Sequence, residues 1–371
     1  MVIGLLKEIK KDEYRVGLTP QSAQEYINHG HSVWIEKSAG EGSGFTDEIY
    51  TKVGCRIEKN KVKILSQANM IIKVKEPLPE EYPHFRESQI LFTYLHLAAD
   101  KRLAKFLLQK KITGIAYETV MEEDASLPLL KPMSEIAGRL AIQEGAKYLE
   151  KTFGGRGILL GGVPGIPRGK IFILGGGVVG INACKIAVGI GAEVTILDIS
   201  YKRLTYLDDI FGTSITTLLS NKYNIEKCLR EADLIIGGIL IPGGAAPKLI
   251  KNEHLKIMKK GAVIVDIAID QGGCCESSKA TTHSSPTFIK EGIVHYCVTN
   301  MPSVVALSST IALTSATTRY GLQVADQGIE DAILGSRAIR SGINTYQGKL
   351  KNSAVAEALT LEFTPWQENN H

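Results

Sequence analysis

The hexapeptide Gly175-Gly176-Gly177-Val178-Val179-Gly180 follows a β-branched run, Lys170–Leu174, and opens a helical pattern over Val178–Ile190. A second run, Glu193–Leu197, comes next and ends at Asp198. A G-x-G-x-x-G alone is a weak signal, but here each part has a physical role. Gly175 permits a tight turn, Gly177 lets backbone N–H groups approach a pyrophosphate, and Gly180 lets helix pack on strand. The helix N-terminus, at Val178 and Val179, adds partial positive charge. Asp198, roughly 20 residues on, would accept the hydroxyls of an adenosine ribose. A 2′-phosphate about 4 Å from that carboxylate would cost roughly 4 kcal/mol per unit charge at an effective dielectric near 20. NAD is therefore expected rather than NADP, with Lys202 and Arg203 covering the adenine or pairing with Asp198.

The same alternation of strand and helix runs almost from end to end, as in parallel sheets flanked by helices. Strands are expected near Val2–Leu5, Ser32–Glu36, Met70–Val74, Gln89–Leu95 and Thr113–Tyr117, with helices near Pro20–His29, Thr46–Val53, Lys61–Gln67 and Lys101–Gln109. A polar break at 122–128 and a helix from Ser134 to Thr152 follow, then a connector rich in Gly and Pro at 154–169. Six further strands are expected: Lys170–Leu174, Glu193–Leu197, Ser214–Leu218, Asp233–Gly237, Ala262–Asp266 and Ile293–Cys297. That is the count of a complete dinucleotide-binding sheet. Beyond Pro302 the pattern is helical to about Gly342, then trails through Ala354–Leu361 into a polar tail. Those last helices have no sheet of their own, so they should return to cover the first domain. The expected fold is α/β, two doubly wound Rossmann-like domains with parallel sheets, separated by a cleft. Residues 1–129 and 308–371 would form a discontinuous substrate domain, and 130–307 the nucleotide-binding one.

Composition removes several classes of partner. With 43 Lys+Arg against 39 Asp+Glu, the net charge of +4 is dispersed in doublets such as Lys10-Lys11 and Lys259-Lys260. No basic stripe with interleaved aromatics exists, so nucleic acid is not expected. The longest apolar stretch, Ile171–Ala183, falls short of the ~20 residues that span a bilayer. Met1–Glu8 lacks a basic leader, so no membrane or export role is expected and a cytoplasmic location is. The six cysteines, sparse and without C-x-x-C, read as free thiols. Neither His29-x-His31 nor Cys274-Cys275 has the spacing of a structural zinc site, so no metal is expected.

Ligands of parallel sheets bind beyond the carboxyl ends of strands, where polar residues are the first candidates. Lys75 follows the strand at Met70–Val74, and His96 follows the one at Gln89–Leu95. Asp270 lies in the loop after Ala262–Asp266, Val298, Asn300 and Met301 follow the last strand, and Arg15 lies in a loop near the N-terminus. A nicotinamide enzyme acting on a small acid needs cations for a carboxylate and a proton carrier at the reacting carbon. Arg15 and Lys75 fit the first role, His96 the second, and Asp270 could orient water or a reacting nitrogen.

These residues, with the stretches Glu13–Pro20, Lys73–Leu78, Thr93–Leu97, Leu127–Gly138, Asp266–Cys274 and His295–Pro302, resemble the bacterial alanine dehydrogenase family over nearly the whole chain. The resemblance implies reversible oxidative deamination of L-alanine by NAD to pyruvate and ammonium. It assigns the substrate carboxylate to Arg15 and Lys75, acid–base chemistry to His96, and the second catalytic role to Asp270. It further implies cofactor contacts at Ser134, the glycine motif, Asp198, Arg203, Ser220, Ile267, Asp270, Asn300 and Met301, and a homohexamer. Competing readings are the NAD(H)-binding component of a proton-translocating transhydrogenase, a dehydrogenase of the saccharopine type, and a non-catalytic NAD sensor.

Overall fold

The computed structural model describes residues 1–239 and 246–366; the end of the polar tail lies outside the described residues. In chain order the first strands are β1 (Val2–Leu5), β2 (Ser32–Glu36), β3 (Arg56–Glu58), β4 (Met70–Ile72), β5 (Ile90–Thr93) and β6 (Thr113–Ala116). Next come β7 (Lys170–Leu174), β8 (Glu193–Asp198), β9 (Ile215–Leu219), β10 (Leu234–Gly237), β11 (Val263–Asp266), β12 (Thr287–Lys290) and β13 (Ile293–Tyr296). The last are β14 (Ile343–Tyr346) and β15 (Lys349–Leu350).

The chain divides into two compact units, Met1–Met133 with Ser303–His371, and Ser134–Pro302. The two changes of unit therefore fall a few residues from the expected 129/130 and 307/308. In the first unit the sheet runs β3-β2-β1-β4-β5-β6-β14-β15, and in the second β9-β8-β7-β10-β11-β13-β12. Ignoring the added edge strands, each order is 3-2-1-4-5-6, the doubly wound arrangement with a switch point beside the first strand.

The central strands are covered on both faces, which explains why they read as continuous apolar runs without alternation. All four residues of β5, β10, β11 and β13 are buried. Helix starts follow local chemistry. The Thr19 side chain accepts the Ser22 N–H at the head of Pro20–Asn28, where Pro20 sits in the first turn. Asp100 likewise accepts the N–H groups of Arg102 and Leu103 before Lys101–Gln109.

The sheets are parallel except at their edges. β12 runs antiparallel to β13, and β14 antiparallel to both β6 and β15. Both hairpins turn on two residues at positive φ, Glu291-Gly292 and Gln347-Gly348, the geometry that matches the twist of paired strands. The C-terminal segment thus does more than cover the first unit, since it extends that unit's sheet by two strands.

At the carboxyl end of β4 a lysine is fully buried between two acids. Lys73 Nζ lies 3.4 Å from Glu8 and 3.2 Å from Glu81, all three side chains being nearly inaccessible. Removing one member of such a cluster leaves uncompensated buried charge. Lys73→Met should lower stability by about 3–5 kcal/mol in urea unfolding. Burial already holds the Glu8 pKa above its ordinary value, and loss of Lys73 removes the charge that opposes the rise, so the deficit should be largest near neutral pH. It should shrink on acidification, as Glu8 protonates. A deficit independent of pH would contradict this account.

Candidate active site

In the first unit three strand ends deliver the reactive side chains. The loop after β1 carries Arg15, which is buried. Its Nε and one terminal nitrogen donate to the two oxygens of Glu13 at 2.7 and 2.6 Å, and its other terminal nitrogen lies 3.1 Å from Met133 Sδ. Burial opposes the guanidinium's charge, and the Glu13 contacts overcome that opposition, leaving its pKa above the ordinary value. The fork is thereby locked in one plane.

Lys75 follows β4. Glu8 fixes this corner, because its Oε1 accepts the N–H groups of Val74 at 2.6 Å and Lys75 at 3.3 Å. Lys75 is mostly buried, and burial together with the charges of Arg15 and Lys10 lowers its ammonium's pKa. Its Nζ lies 3.2 Å from His96 Nε2.

His96 ends the segment after β5 in a left-handed conformation, φ 46°, which costs energy for a residue with a Cβ. Glu118, beyond β6, holds this bend. Its carboxylate accepts the His96 N–H at 2.6 Å and the Leu95 N–H at 3.2 Å. Burial raises the pKa of Glu118, and these backbone donors oppose the rise. The Tyr94 ring lies parallel to the imidazole at 5.8 Å, and its hydroxyl donates to the Leu129 carbonyl. His96 keeps contact with solvent, yet desolvation by the groups packed around it and the charges of Lys75, Lys10 and Arg15 pull its pKa down to about 3. The ring is therefore neutral at physiological pH, accepting from Lys75 at Nε2 and ready to take a proton.

The arrangement is a cationic cluster around a neutral base, suited to an anionic substrate that must exchange a proton. Of the candidate residues, Arg15, Lys75 and His96 act on one another here. Sequence reasoning overlooked Glu118. The strand-end rule that found His96 would also have found it, since Glu118 directly follows the strand expected at Thr113–Tyr117.

In the second unit the remaining candidates cluster by topology at the carboxyl ends of parallel strands. Gly175 follows β7 with φ 95°, and a Cβ on Gly180 would lie 1.8 Å from the Gly175 carbonyl oxygen. Gly177 caps the helix Val178–Gly189, and a Cβ there would meet nothing within 4 Å. That open backbone at a helix N-terminus fits a pyrophosphate. Asp198 ends β8, its oxygens accepting the N–H groups of Gly176 at 2.7 Å and Ser200 at 2.8 Å. A carboxylate has about four acceptor sites, so capacity for ribose hydroxyls remains. Arg203 donates to the Gly176 carbonyl and lies over the Tyr206 ring, so its partner in this turn is the backbone and not Asp198. Ser220 follows β9 and donates its N–H to the Asp198 carbonyl. Ile267 and Asp270 belong to the short helix Ile267–Gln271 after β11, and Val298, Asn300 and Met301 follow β13. Ser134 stands apart from these strand ends, on the helix Lys131–Tyr148.

The cysteines are free and buried. The two metal-spacing candidates fare differently. His29 and His31 engage opposite oxygens of Asp326. Cys274 and Cys275 instead meet Asp266, which their spacing in sequence did not suggest.

Lys75→Met should raise the His96 pKa towards the ordinary histidine range, because one of the charges that depress it is gone. The ring C–H resonances followed against pH by NMR would report this. An unmoved midpoint would refute the electrostatic reading of the cluster.

Comparison with known proteins places these features in context. Residues 4–137 match the family model "Alanine dehydrogenase/PNT, N-terminal domain", and residues 141–353 match "Alanine dehydrogenase/PNT, C-terminal domain". An alanine dehydrogenase of Methanococcus maripaludis is 55% identical over 98% of each chain. An alanine dehydrogenase 2 of Staphylococcus aureus is 50% identical over 100% of each. A solved L-alanine dehydrogenase superposes with a TM-score of 0.94 at 48% identity, covering 97% of this chain and 99% of that one. A transhydrogenase from Sinorhizobium meliloti shares the fold, with a TM-score of 0.82 at 21% identity over 95% and 100% of the two chains.

Proposed function

This chain belongs to the alanine dehydrogenase/PNT family, and we propose NAD as the nicotinamide with which it interconverts L-alanine and pyruvate plus ammonium. It is an amino-acid dehydrogenase acting by reversible hydride transfer. NAD rather than NADP is favoured by the negative charge of Asp198 in the glycine turn. When bound, the nicotinamide supplies the acceptor for the hydride that leaves the alanine Cα.

The observation that carries the assignment of roles is the 3.2 Å contact between Lys75 Nζ and His96 Nε2, under the charge of Arg15. In our reading Arg15 and Lys75 hold the substrate carboxylate. A carboxylate about 4 Å from one such cation gains roughly 4 kcal/mol at an effective dielectric near 20, which fixes the orientation of Cα. Loss of hydride gives the imino acid. Asp270 orients water for attack on the imine carbon. Neutral His96 takes the proton from the attacking oxygen and returns one to the departing amine. Glu13 and Glu118 serve by holding Arg15 and the His96 bend. The carboxylate of the bound substrate offsets the positive neighbours of His96, so its pKa should be higher in the complex than in the free protein.

We extend the reading to a homohexamer in the cytoplasm, as the family resemblance suggests. No described helix is long and apolar enough to cross a membrane.

The test is direct. Purified protein mixed with NADH, ammonium and pyruvate should consume the absorbance of the reduced nicotinamide, and NAD with L-alanine should restore it. Replacing His96 by Ala should slow both directions by about 10²–10⁴-fold. Near-normal turnover in that variant would overturn the proposed role. Activity with 2-oxoglutarate and lysine in place of pyruvate would indicate a longer substrate, and hydride transfer only to an NAD analogue would indicate transhydrogenation.

A further inference from the structure

The stretch between Asp266 and Cys274 forms a closed loop with Asp270 at its centre, four residues from either end. Asp266 pins the two ends together. Its Oδ2 accepts the backbone N–H groups of Cys274 at 2.9 Å and Cys275 at 3.3 Å, and also the Ser278 hydroxyl. Its Oδ1 is fully buried and, among the described residues, has no hydrogen-bond partner. The two thiols lie alongside, with 3.9 Å between their sulfurs. The carboxylate and both sulfurs fall within 4.8 Å of one another. The register places bare Gly237 opposite Asp266, and a Cβ at Gly237 would stand 2.4 Å from Cys274 Sγ and 3.1 Å from Asp266 Oδ1. The sulfur and the orphaned oxygen therefore share one space.

We propose that Asp266, Cys274 and Cys275 form a binding site for a thiophilic divalent cation, zinc or cadmium, at the stem of the loop that carries Asp270. Two thiolates and a carboxylate are a donor set that such ions take in near-tetrahedral geometry, and the Ser278 hydroxyl is at hand as a fourth oxygen. Charge favours the exchange. The ion enters with two positive charges, and two thiol protons leave to solvent. Burial therefore imposes no added net charge, and the unpartnered Oδ1 gains a ligand.

Cadmium chloride titrated into the reduced full-length protein provides the test. The expected result is thiolate-to-cadmium charge-transfer absorption that saturates at one ion per chain, with release of two protons per ion. Cys274→Ala and Cys275→Ala should each abolish the band, and Cys55→Ala, in the other unit, should keep it. Asp266→Asn should weaken binding by at least about tenfold. Should either cysteine variant fail to fold, alkylation of the native sequence in mild denaturant replaces it. Cadmium should then protect Cys274 and Cys275, read by peptide mass, and leave Cys55 unprotected. Absence of the band, its survival in either cysteine variant, or equal alkylation of all cysteines would overturn the proposal.

Discussion

A carboxylate buried at the end of a strand has to be met by N–H donors or by a cation, and in the first unit this requirement orders the whole reactive rim of the sheet. Glu8 takes two successive N–H groups after β4 and shares Lys73 with Glu81. Glu13 grips both edges of the Arg15 guanidinium. Glu118 takes two successive N–H groups after β5 and holds His96 in a backbone conformation it would otherwise avoid. Each acid is fixed by its own desolvation, and each fixes one cation or one turn. The positive cluster is thus assembled on a negative frame, which tolerates Lys75 and Arg15 close together while leaving His96 neutral.

Under the proposed function, the two units would use the same strand order for opposite ways of meeting an anion. The first relies on side-chain cations held at the rim. The second offers backbone, with Gly175 turning tightly, Gly177 leaving its space open, and the start of the helix Val178–Gly189 facing the same region. An anion held by backbone dipoles demands little of side-chain identity but much of side-chain absence, as at Gly177, where a Cβ would meet nothing within 4 Å. An anion held by Lys75 and Arg15 demands particular side chains and tolerates bulk around them.

Much of this was legible in the sequence, because the signals were local. The runs at β1, β2 and β7 matched their strands residue for residue, β1 and β7 as largely buried apolar segments and β2 with burial that alternates along it. The glycine motif was legible for the same reason. What escaped was either short or relational. β3, with three residues, and β15, with two, are too brief for periodicity to register. β14 is an Ile-Asn-Thr-Tyr segment whose polar Asn344 and Thr345 are buried, so its pattern does not announce a strand. The Gln347-Gly348 turn was the available clue to that hairpin. Glu118 stood at a strand end and was overlooked there, whereas the meeting of Asp266 with Cys274 is a relation of the folded loop that spacing along the chain does not announce.

The interruption of the first unit by the second has a consequence for how the molecule is made. Synthesis delivers β1 to β6 first, yet the sheet they build has its last two strands at 343–350, beyond the whole of Ser134–Pro302. The inserted unit is contiguous and can complete its own sheet while the first still exposes the edge of β6. That edge is an unpaired row of donors and acceptors open to wrong partners until the final helices emerge from the ribosome. Truncation near the C-terminus would therefore injure the earliest-made half of the molecule, leaving the later-made half intact.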